Sequence, residues 1–192
     1  MNILISIEIN SFIHCKIITK YKKISSVDYI KNFGGSRITY FVPQKGQLKE
    51  KKYITQLMGN YKSIYYDELM NLRSELPVII AGDENAPDKF VNDWDILSNT
   101  SLLVHHKEYG SCCNSVMKAL DCGIPIYMTR ENRYKLGFED VPEYCFIFSD
   151  HCNIKDAYIE SKLKNNKTIQ EEFRRVKSLE NCTKELKQLL EI

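Results

Sequence analysis

The sequence contains no long apolar run. No stretch approaches the roughly 20 apolar residues that a membrane-spanning helix needs. The N-terminal segment MNILISIEIN has neither the cationic head nor the small-residue cleavage site of a signal peptide. With 192 residues, 43% of them hydrophobic and 27% charged, the chain can form one domain with a proper core. We therefore expect a soluble, cytoplasmic protein without a membrane span.

The sequence also lacks the cysteine patterns of disulfide-rich and zinc-binding proteins. Its seven cysteines are odd in number and include no C-x-x-C pair, which argues against a disulfide scaffold and favours reduced thiols. The metal-ligating residues with the most suggestive positions are His105, Cys112, His151 and Cys152. Their spacing matches no known zinc pattern, so we predict no metal site.

The sequence also has no large excess of charge of either sign. The formal net charge is +2, which is too small to drive nucleic-acid binding by itself. Two lysine clusters, at 49–52 and 162–167, are interpreted as solvated helix faces. Nucleic acid is therefore not indicated by charge, although it remains an option as an acceptor.

From residue 37 onward, short β-branched or aromatic runs alternate with longer amphipathic segments, which is typical of repeated βα units. The strand candidates are Ile38–Val42, Ser63–Tyr66, Val78–Ala81, Leu102–His105, Ile126–Met128 and Cys145–Phe148. Helices are predicted between them, including one over Gly46–Asn60, and a closing helix over Thr168–Leu190. Such connections force parallel pairing and place helices on both faces. The prediction is an α/β fold with a doubly wound, mostly parallel, Rossmann-like sheet.

Residues 1–36 follow a different rhythm. Asn2–Ile9 and Ile13–Tyr21 are two β-prone runs that flank Asn10-Ser11-Phe12, so a β-hairpin is predicted. The hairpin could extend the sheet as an antiparallel edge or dock a second domain. The predicted organisation is an N-terminal hairpin over 1–36 and a nucleotide-binding domain over 37–192.

Ligands of open α/β sheets bind beyond the carboxyl ends of the strands, so the loops after the strands are the candidate site. The most distinctive is Gly110-Ser111, just before a helix predicted to start near Cys112 or Cys113. Amides at such a helix start seat anions, and we expect Ser111, Asn114 or Ser115 to bind phosphate oxygens there. The alternative is that Ser111 or Asn114 merely caps the helix. Gly123 is predicted to end it.

The segment from Asn114 to Ile126 reads NSVMKALDCGIPI. It resembles the donor-site segment of glycosyltransferases with the GT-B fold, usually written N-S-V-L-E-A-L-A-C-G-V-P-V. The resemblance covers roughly 37–190 and includes Lys45-Gly46 after the first predicted strand. It implies a nucleotide-sugar-binding half-enzyme with no separate cofactor, for which a UDP-linked sugar is one donor. Because the acceptor-binding half is missing, the acceptor site would come from a partner chain or a homodimer.

Two positions depart from that family's pattern. Retaining members carry glutamates where this chain has Lys118 and Gly110, although Glu108 lies close by. Lys118 can neutralise a diphosphate or face water. Arg130 and Arg133 are predicted phosphate clamps, because a guanidinium matches two oxygens at once. The alternative for each arginine is a surface ion pair with Glu131 or Asp140.

Transfer chemistry needs a base or a carboxylate near the ligand. Asp83 directly follows Gly82 at a strand end, and His106 and Glu108 follow another, so these three are the predicted catalytic residues. His105 is a second candidate base. Each histidine could instead be a satisfied structural residue.

Two further functions fit the same pattern. One is a small nucleotide-processing or nucleotide-sensing domain, similar to nucleoside deoxyribosyltransferases or to domains that bind ADP-ribose-type ligands. That group also has an acidic or glycine-serine loop and then Gly-x-Pro before a strand. The other is a non-catalytic binding module that keeps the fold, which Lys118 and Gly110 favour.

Overall fold

The fold is described from a computed structural model of the chain. The described residues are 4–10, 12–18, 24–25, 36–37, 45–48, 50–58, 62–82, 84–89, 92–107, 113–178, 180–181 and 184.

The N-terminal part contains the predicted hairpin. Strands β1 (Leu4–Asn10) and β2 (Phe12–Ile18) pair antiparallel, with Leu4 opposite Ile18. They form a two-stranded sheet of their own and do not extend the larger sheet. Two short strands, β3 (Ile24–Ser25) and β4 (Ser36–Arg37), pair in parallel. The predicted boundary between residues 36 and 37 falls inside β4 and stays a prediction.

Among the described residues the main sheet has five strands, and all of its neighbouring pairs are parallel. They are β5 (Tyr53–Leu57), β6 (Val78–Ala81), β7 (Thr100–Val104), β8 (Ile126–Met128) and β9 (Phe146–Phe148). Their order across the sheet is β6-β5-β7-β8-β9. The strand order therefore reverses at β5, which has β6 on one side and β7 on the other.

Helices connect these strands and follow the last one. They are α1 (Tyr66–Leu72), α2 (Asp93–Ser98), α3 (Asn114–Asp121), α4 (Arg130–Lys135), α5 (Ile154–Leu163) and α6 (Asn166–Val176). A 3-10 helix over Glu143–Cys145 leads into β9. No helix in the described ranges is both long and apolar enough to cross a membrane.

Apolar side chains alternate between the two faces of the sheet. One face carries Leu57, Leu103 and Ile126, and it packs with residues of α2, α3 and α6. The other face carries Ile54, Leu102 and Tyr127, and it packs with residues of α1 and α5. The predicted doubly wound, parallel α/β architecture is confirmed.

The predicted helix over Gly46–Asn60 is wrong: the described residues of 46–52 are not helical, and β5 lies in the second half. The apolar residues there have a helical spacing, but the segment is a central strand that is buried on both faces. Even Thr55 and Gln56 are fully buried. Thr55 shares a 2.7 Å hydroxyl contact with Thr100, which satisfies its polar group. A strand buried on both faces has no polar alternation to reveal it.

The predicted strand over Ser63–Tyr66 is also wrong. Residues 63–65 precede α1, which begins at Tyr66 and has Asp67 and Glu68 in its first turn. Carboxylates at that position favour a helix start. The aromatic run that suggested a strand instead buries Tyr65 at the helix entrance.

The remaining strand predictions fare better. Val78–Ala81 and Ile126–Met128 are confirmed, and the other two are shifted by one or two residues, to β7 and β9. The candidate strand Ile38–Val42 lies outside the described residues. The predicted closing helix is confirmed only in its first part, because α6 starts at Asn166 and ends at Val176, and residues 177–178 are not helical. Residues 185–192 also lie outside the described part.

Gly123 ends α3 as predicted. Its φ of 66° lies in the left-handed region, and its N–H donates to Leu120 O at 2.9 Å. A Cβ on Gly123 would lie 2.1 Å from the carbonyl oxygen of Asn166. The turn therefore requires glycine both for its backbone angle and for this close approach.

Candidate functional site

Open α/β sheets bind their ligands in a crevice beyond the carboxyl ends of the strands where the strand order reverses, and in this sheet the reversal lies between β5 and β7. The chain leaves β5 to form β6 on one side and later returns to form β7 on the other. Residues 105–107 follow β7 directly, and Cys113 introduces α3 from an extended conformation with φ −95° and ψ 122°. The end of β7 and the start of α3 therefore flank the same edge of the sheet.

A thiol, an imidazole and a hydroxyl meet at this edge. The Cys113 Sγ lies 2.9 Å from the Ser115 Oγ and 4.0 Å from the His105 Nδ1. His105 and Ser115 are buried, whereas Cys113 is partly exposed. The Nε2 of His105 is buried and has no hydrogen-bond partner in the described part of the chain.

These neighbours change the acidity of the thiol. Burial acts to raise the pKa of Cys113, but the charge and hydrogen bonding of His105 oppose it. The Ser115 hydroxyl and the Val116 backbone amide act in the same direction as His105, and together they lower the pKa to about 6. A thiol with this pKa is largely thiolate at neutral pH.

The start of α3 has no side-chain cap, a feature that it shares with α1, whose N-cap residue is Tyr65. Helices α2, α4, α5 and α6 have side-chain caps, in which the N-cap side chain accepts a hydrogen bond from a backbone amide of its own helix. The capping residues are Asn92, Thr129, Asn153 and Asn165. Cys113 makes no such side-chain cap. The Val116 amide interacts with the Cys113 sulfur, and the amides of Asn114 and Ser115 remain as donors at the positive end of the helix.

An asparagine fixes the backbone that leaves β7. Asn132 is buried, and its Nδ2 donates to Lys107 O at 2.7 Å while its Oδ1 accepts from Lys107 N at 3.2 Å. Asn132 itself lies in α4, where its N–H donates to the Thr129 side chain at 2.9 Å. This pair of bonds ties the loop after β7 to the helix after β8.

His106, a predicted catalytic residue, lies at the same edge beside Tyr65. Their ring centroids are 6.1 Å apart in an edge-to-face arrangement. Tyr65 also contacts Tyr127 at 5.3 Å, and its hydroxyl donates to Ser149 Oγ at 3.2 Å. Tyr65 at the entrance of α1 thus lies between His106 and Tyr127 of β8.

The other predicted catalytic residues, Asp83 and Glu108, lie outside the described residues, as do Gly110 and Ser111 of the predicted anion seat. Asn114 and Ser115 are in the first turn of α3, where the prediction put them.

Lys118 is neither at the start of α3 nor exposed to water. Its ammonium group pairs with Asp93 of α2 and lies 5.5 Å from the ring centroid of Trp94. The side chain is buried, with 7% exposure. Lys118 therefore joins α2 to α3.

The two predicted arginine clamps differ from each other. Arg133 is 14% exposed and donates to the carbonyls of Val141 at 2.7 Å and Glu139 at 3.1 Å. Arg130 is 48% exposed and pairs with Glu143 at 2.7 Å, with its guanidinium over the Phe148 ring. Of the two, only Arg130 is exposed enough for its side chain to leave its ion pair with a carboxylate and contact a ligand.

Lys45 and Gly46, also predicted to bind the ligand, lie away from this edge. The Gly46 N–H donates to Asp121 Oδ2 at 2.6 Å, and Asp121 is the last residue of α3. Arg174 of α6 donates to Asp121 Oδ1 at 2.7 Å and to Gly46 O at 3.1 Å. The structure thus brings Gly46 to the opposite end of α3 from Cys113.

Sequence reasoning missed the Cys113–His105 pair and the role of Asn132. A usable signal existed for the pair, because a histidine ends a buried strand and a cysteine precedes the next helix. No local signal marks Asn132, whose partner lies 25 residues earlier. In the part of the chain that the structure describes, no three metal-ligating side chains are grouped to hold an ion.

No protein-family model matches this chain, and no curated protein matches its sequence.

Proposed function

We propose that this chain binds a nucleotide-type ligand at the crevice between β5 and β7, and that it is a glycosyltransferase-like protein whose donor is a nucleotide sugar. One observation carries the proposal: the uncapped start of α3 lies at the carboxyl edge where the strand order reverses. Open α/β sheets bind their ligands at this point. Helix amides at such an edge are suited to phosphate groups.

The phosphates would bind at the start of α3. The backbone amides of Asn114 and Ser115 supply neutral donors, and the helix dipole favours negative charge there. Arg130 follows the neighbouring strand β8 and adds a mobile positive charge. Its exposed pair with Glu143 contributes at most about 1 kcal/mol, so exchange of the carboxylate for a phosphate costs little.

The sugar and base would lie beside His106 and Tyr65. The partly exposed imidazole of His106 can pack against a sugar or a base and exchange a proton with a hydroxyl, and the buried Tyr65 ring supports it from behind. The sequence likeness of 114–126 to a donor-site segment supports the nucleotide-sugar reading. Lys118 and Arg133 take no part in this arrangement, because both are held by protein partners.

A second candidate is a self-contained nucleotide-processing domain of the deoxyribosyltransferase or ADP-ribose-binding type. The strand order favours it. Dinucleotide-binding Rossmann folds have the order 3-2-1-4-5-6, whereas β6-β5-β7-β8-β9 is the 2-1-3-4-5 order of flavodoxin-like domains. Such domains bind one compact nucleotide without a second half.

A thermal-shift screen separates these candidates. The full chain is tested with UDP, UDP-glucose, ADP-ribose and deoxynucleosides. A ligand at a hundred times its Kd stabilises by about 2.7 kcal/mol, which raises the Tm of a domain of this size by roughly 5–11 °C. A response to UDP compounds supports the glycosyltransferase, and a response to nucleosides or ADP-ribose supports the second candidate. Silence to all of them contradicts both.

Two variants test the location of the site. Asn114→Asp places a carboxylate in the first turn of α3, where it favours the helix but repels a phosphate. We expect an unchanged or higher Tm without ligand and a weaker ligand response. Arg130→Gln should also weaken the response, whereas Arg175→Gln serves as a matched control, since Arg175 is an exposed, ion-paired arginine on α6. Equal responses in all three variants would place the ligand elsewhere.

A further inference from the structure

The thiol at the start of α3 is built differently from the other cysteines that the structure describes. Cys113 is partly exposed, and its sulfur contacts a buried imidazole and a buried hydroxyl at the end of the central strand β7. His105 is 1% exposed, and its Nδ1 is the atom nearest to the sulfur. Its other nitrogen has no hydrogen-bond partner in the described ranges.

We propose that Cys113 and His105 form a nucleophilic thiolate–imidazolium pair, and that Cys113 is a modification site which forms a mixed disulfide with low-molecular-weight disulfides such as glutathione disulfide. The thiolate sulfur attacks one sulfur of the disulfide, and a new S–S bond forms while the old one breaks. The other half leaves as a thiolate and takes a proton from water. One disulfide replaces another, so no external oxidant or reductant is needed.

The electrostatics of the other described cysteines make this reaction selective. Burial raises the pKa of Cys122 to about 11 and that of Cys145 to about 12, and it also raises the pKa of Cys152. These three remain thiols at neutral pH. The charged group that acts on Cys113 is His105, which directly follows β7, and the uncharged groups are Ser115 and the Val116 amide from α3.

The modification would also control the ligand site. A glutathionyl group on Cys113 exchanges the thiolate charge for a group of the same net charge and adds bulk at the first turn of α3, which is where the phosphates of the ligand are proposed to bind. This consequence rests on the proposed function, whereas the reactivity of the thiol does not. We expect the modified chain to lose its Tm response to nucleotides and to regain it after reduction.

The test is the pH dependence of alkylation by iodoacetamide, measured at each cysteine by peptide mass spectrometry. Fragment ions separate Cys113 from the neighbouring Cys112, and the Cys112→Ser variant removes any ambiguity. We expect a midpoint near pH 6 for Cys113. At pH 6 the larger thiolate fraction, reduced by the lower nucleophilicity of a more acidic thiol, gives roughly tenfold faster labelling than an ordinary thiol with a pKa near 8.5.

Variants identify which groups lower the pKa of Cys113. His105→Gln should move the midpoint above about pH 8 and slow labelling at pH 6 by roughly tenfold. Ser115→Ala should move it upward by a smaller amount, and this variant keeps the proposal testable if His105→Gln does not fold. Cys152→Ser is the control and should leave the profile of Cys113 unchanged.

A midpoint for Cys113 above about pH 8 in the unaltered chain would overturn the proposal, and so would a profile that neither variant changes. Incubation with glutathione disulfide at pH 7 should add one glutathione at Cys113, and modification of Cys145 in preference would also overturn it. If no nucleotide raises the Tm but the midpoint lies near pH 6, the proposed function fails and the reactive thiol stands.

Discussion

Among the polar residues that the structure describes, Asp121 is the one whose substitution should lower the free energy of unfolding most. Its carboxylate is fully buried at the end of α3, and its two oxygens accept from the Gly46 N–H and the Arg174 Nε. In Asp121→Asn the side chain keeps its size but offers only one oxygen. One of the two donors must then face the new NH2 group, so a buried hydrogen bond is lost together with the ion pair.

The magnitude follows from this geometry. Removal of one partner of a buried ion pair costs about 3–5 kcal/mol. Arg174 is 30% exposed, so water can partly solvate its guanidinium after the change, and we expect the lower end, about 3 kcal/mol. This loss corresponds to a fall in Tm of roughly 6–12 °C for a domain of this size.

Urea denaturation of Asp121→Asn, Arg174→Gln and the double variant measures the effect. The two single losses should overlap, so that the double-mutant cycle gives a coupling of about 1 kcal/mol or more. Glu172→Gln, which removes an exposed ion pair of the same helix, should cost less than about 1 kcal/mol. A loss below about 1 kcal/mol for Asp121→Asn, or additive single effects, would refute the reasoning.

Three further perturbations test other parts of the structure. Arg133→Ala should destabilise the chain by about 2–3 kcal/mol because two part-buried carbonyls lose a charged donor, whereas Arg130→Ala should cost under about 1 kcal/mol. Urea titrations that rank them the other way would contradict these contacts. Gly123→Ala should lower the free energy of unfolding by at least about 2 kcal/mol, since φ is 66° and the new Cβ would overlap Asn166 O. An unchanged Tm would show that the turn does not have the conformation described. Burial lowers the pKa of Lys51 to about 8, although the charge of Cys122 opposes this effect. The unfolded chain then binds more protons than the folded chain between about pH 8 and 10. The stability of the unaltered chain relative to Lys51→Met should therefore rise across that range, which thermal melts under reducing conditions can measure. A stability difference that is flat or falls with pH would exclude the burial of the Lys51 ammonium group.

The sequence pattern was sufficient to predict the class of the fold and several of its elements. Strands β6 and β8 and the helix that Gly123 ends could be predicted because short β-branched runs and a glycine before Pro125 are local signals. Strand β5 could not be predicted, because it is the strand at which the order reverses and both of its faces are buried. Its buried Thr55 and Gln56 find partners that only the folded chain supplies.

The start of α3 could be predicted from the sequence, but the contacts of several candidate site residues could not. The start of α3 was identified from the small and polar residues around Asn114. The contacts of Lys118 and Arg133 could not be predicted, because their partners Asp93 and Val141 are brought close by packing between helices and loops. Gly46 was assigned to the ligand, yet its close contact is with Asp121, 75 residues away along the chain.

The most direct test of the nucleotide site is a map of backbone amide chemical shifts on addition of the nucleotide that raises Tm most. The amides of His106, Ser115 and Val116 should shift, because they lie at the end of β7 and in the first turn of α3. The amides of Gly46 and Asp121 at the opposite end of the helix should not. Saturable shifts confined to Gly46 and Asp121, or no shift in the first turn of α3, would contradict the proposed site.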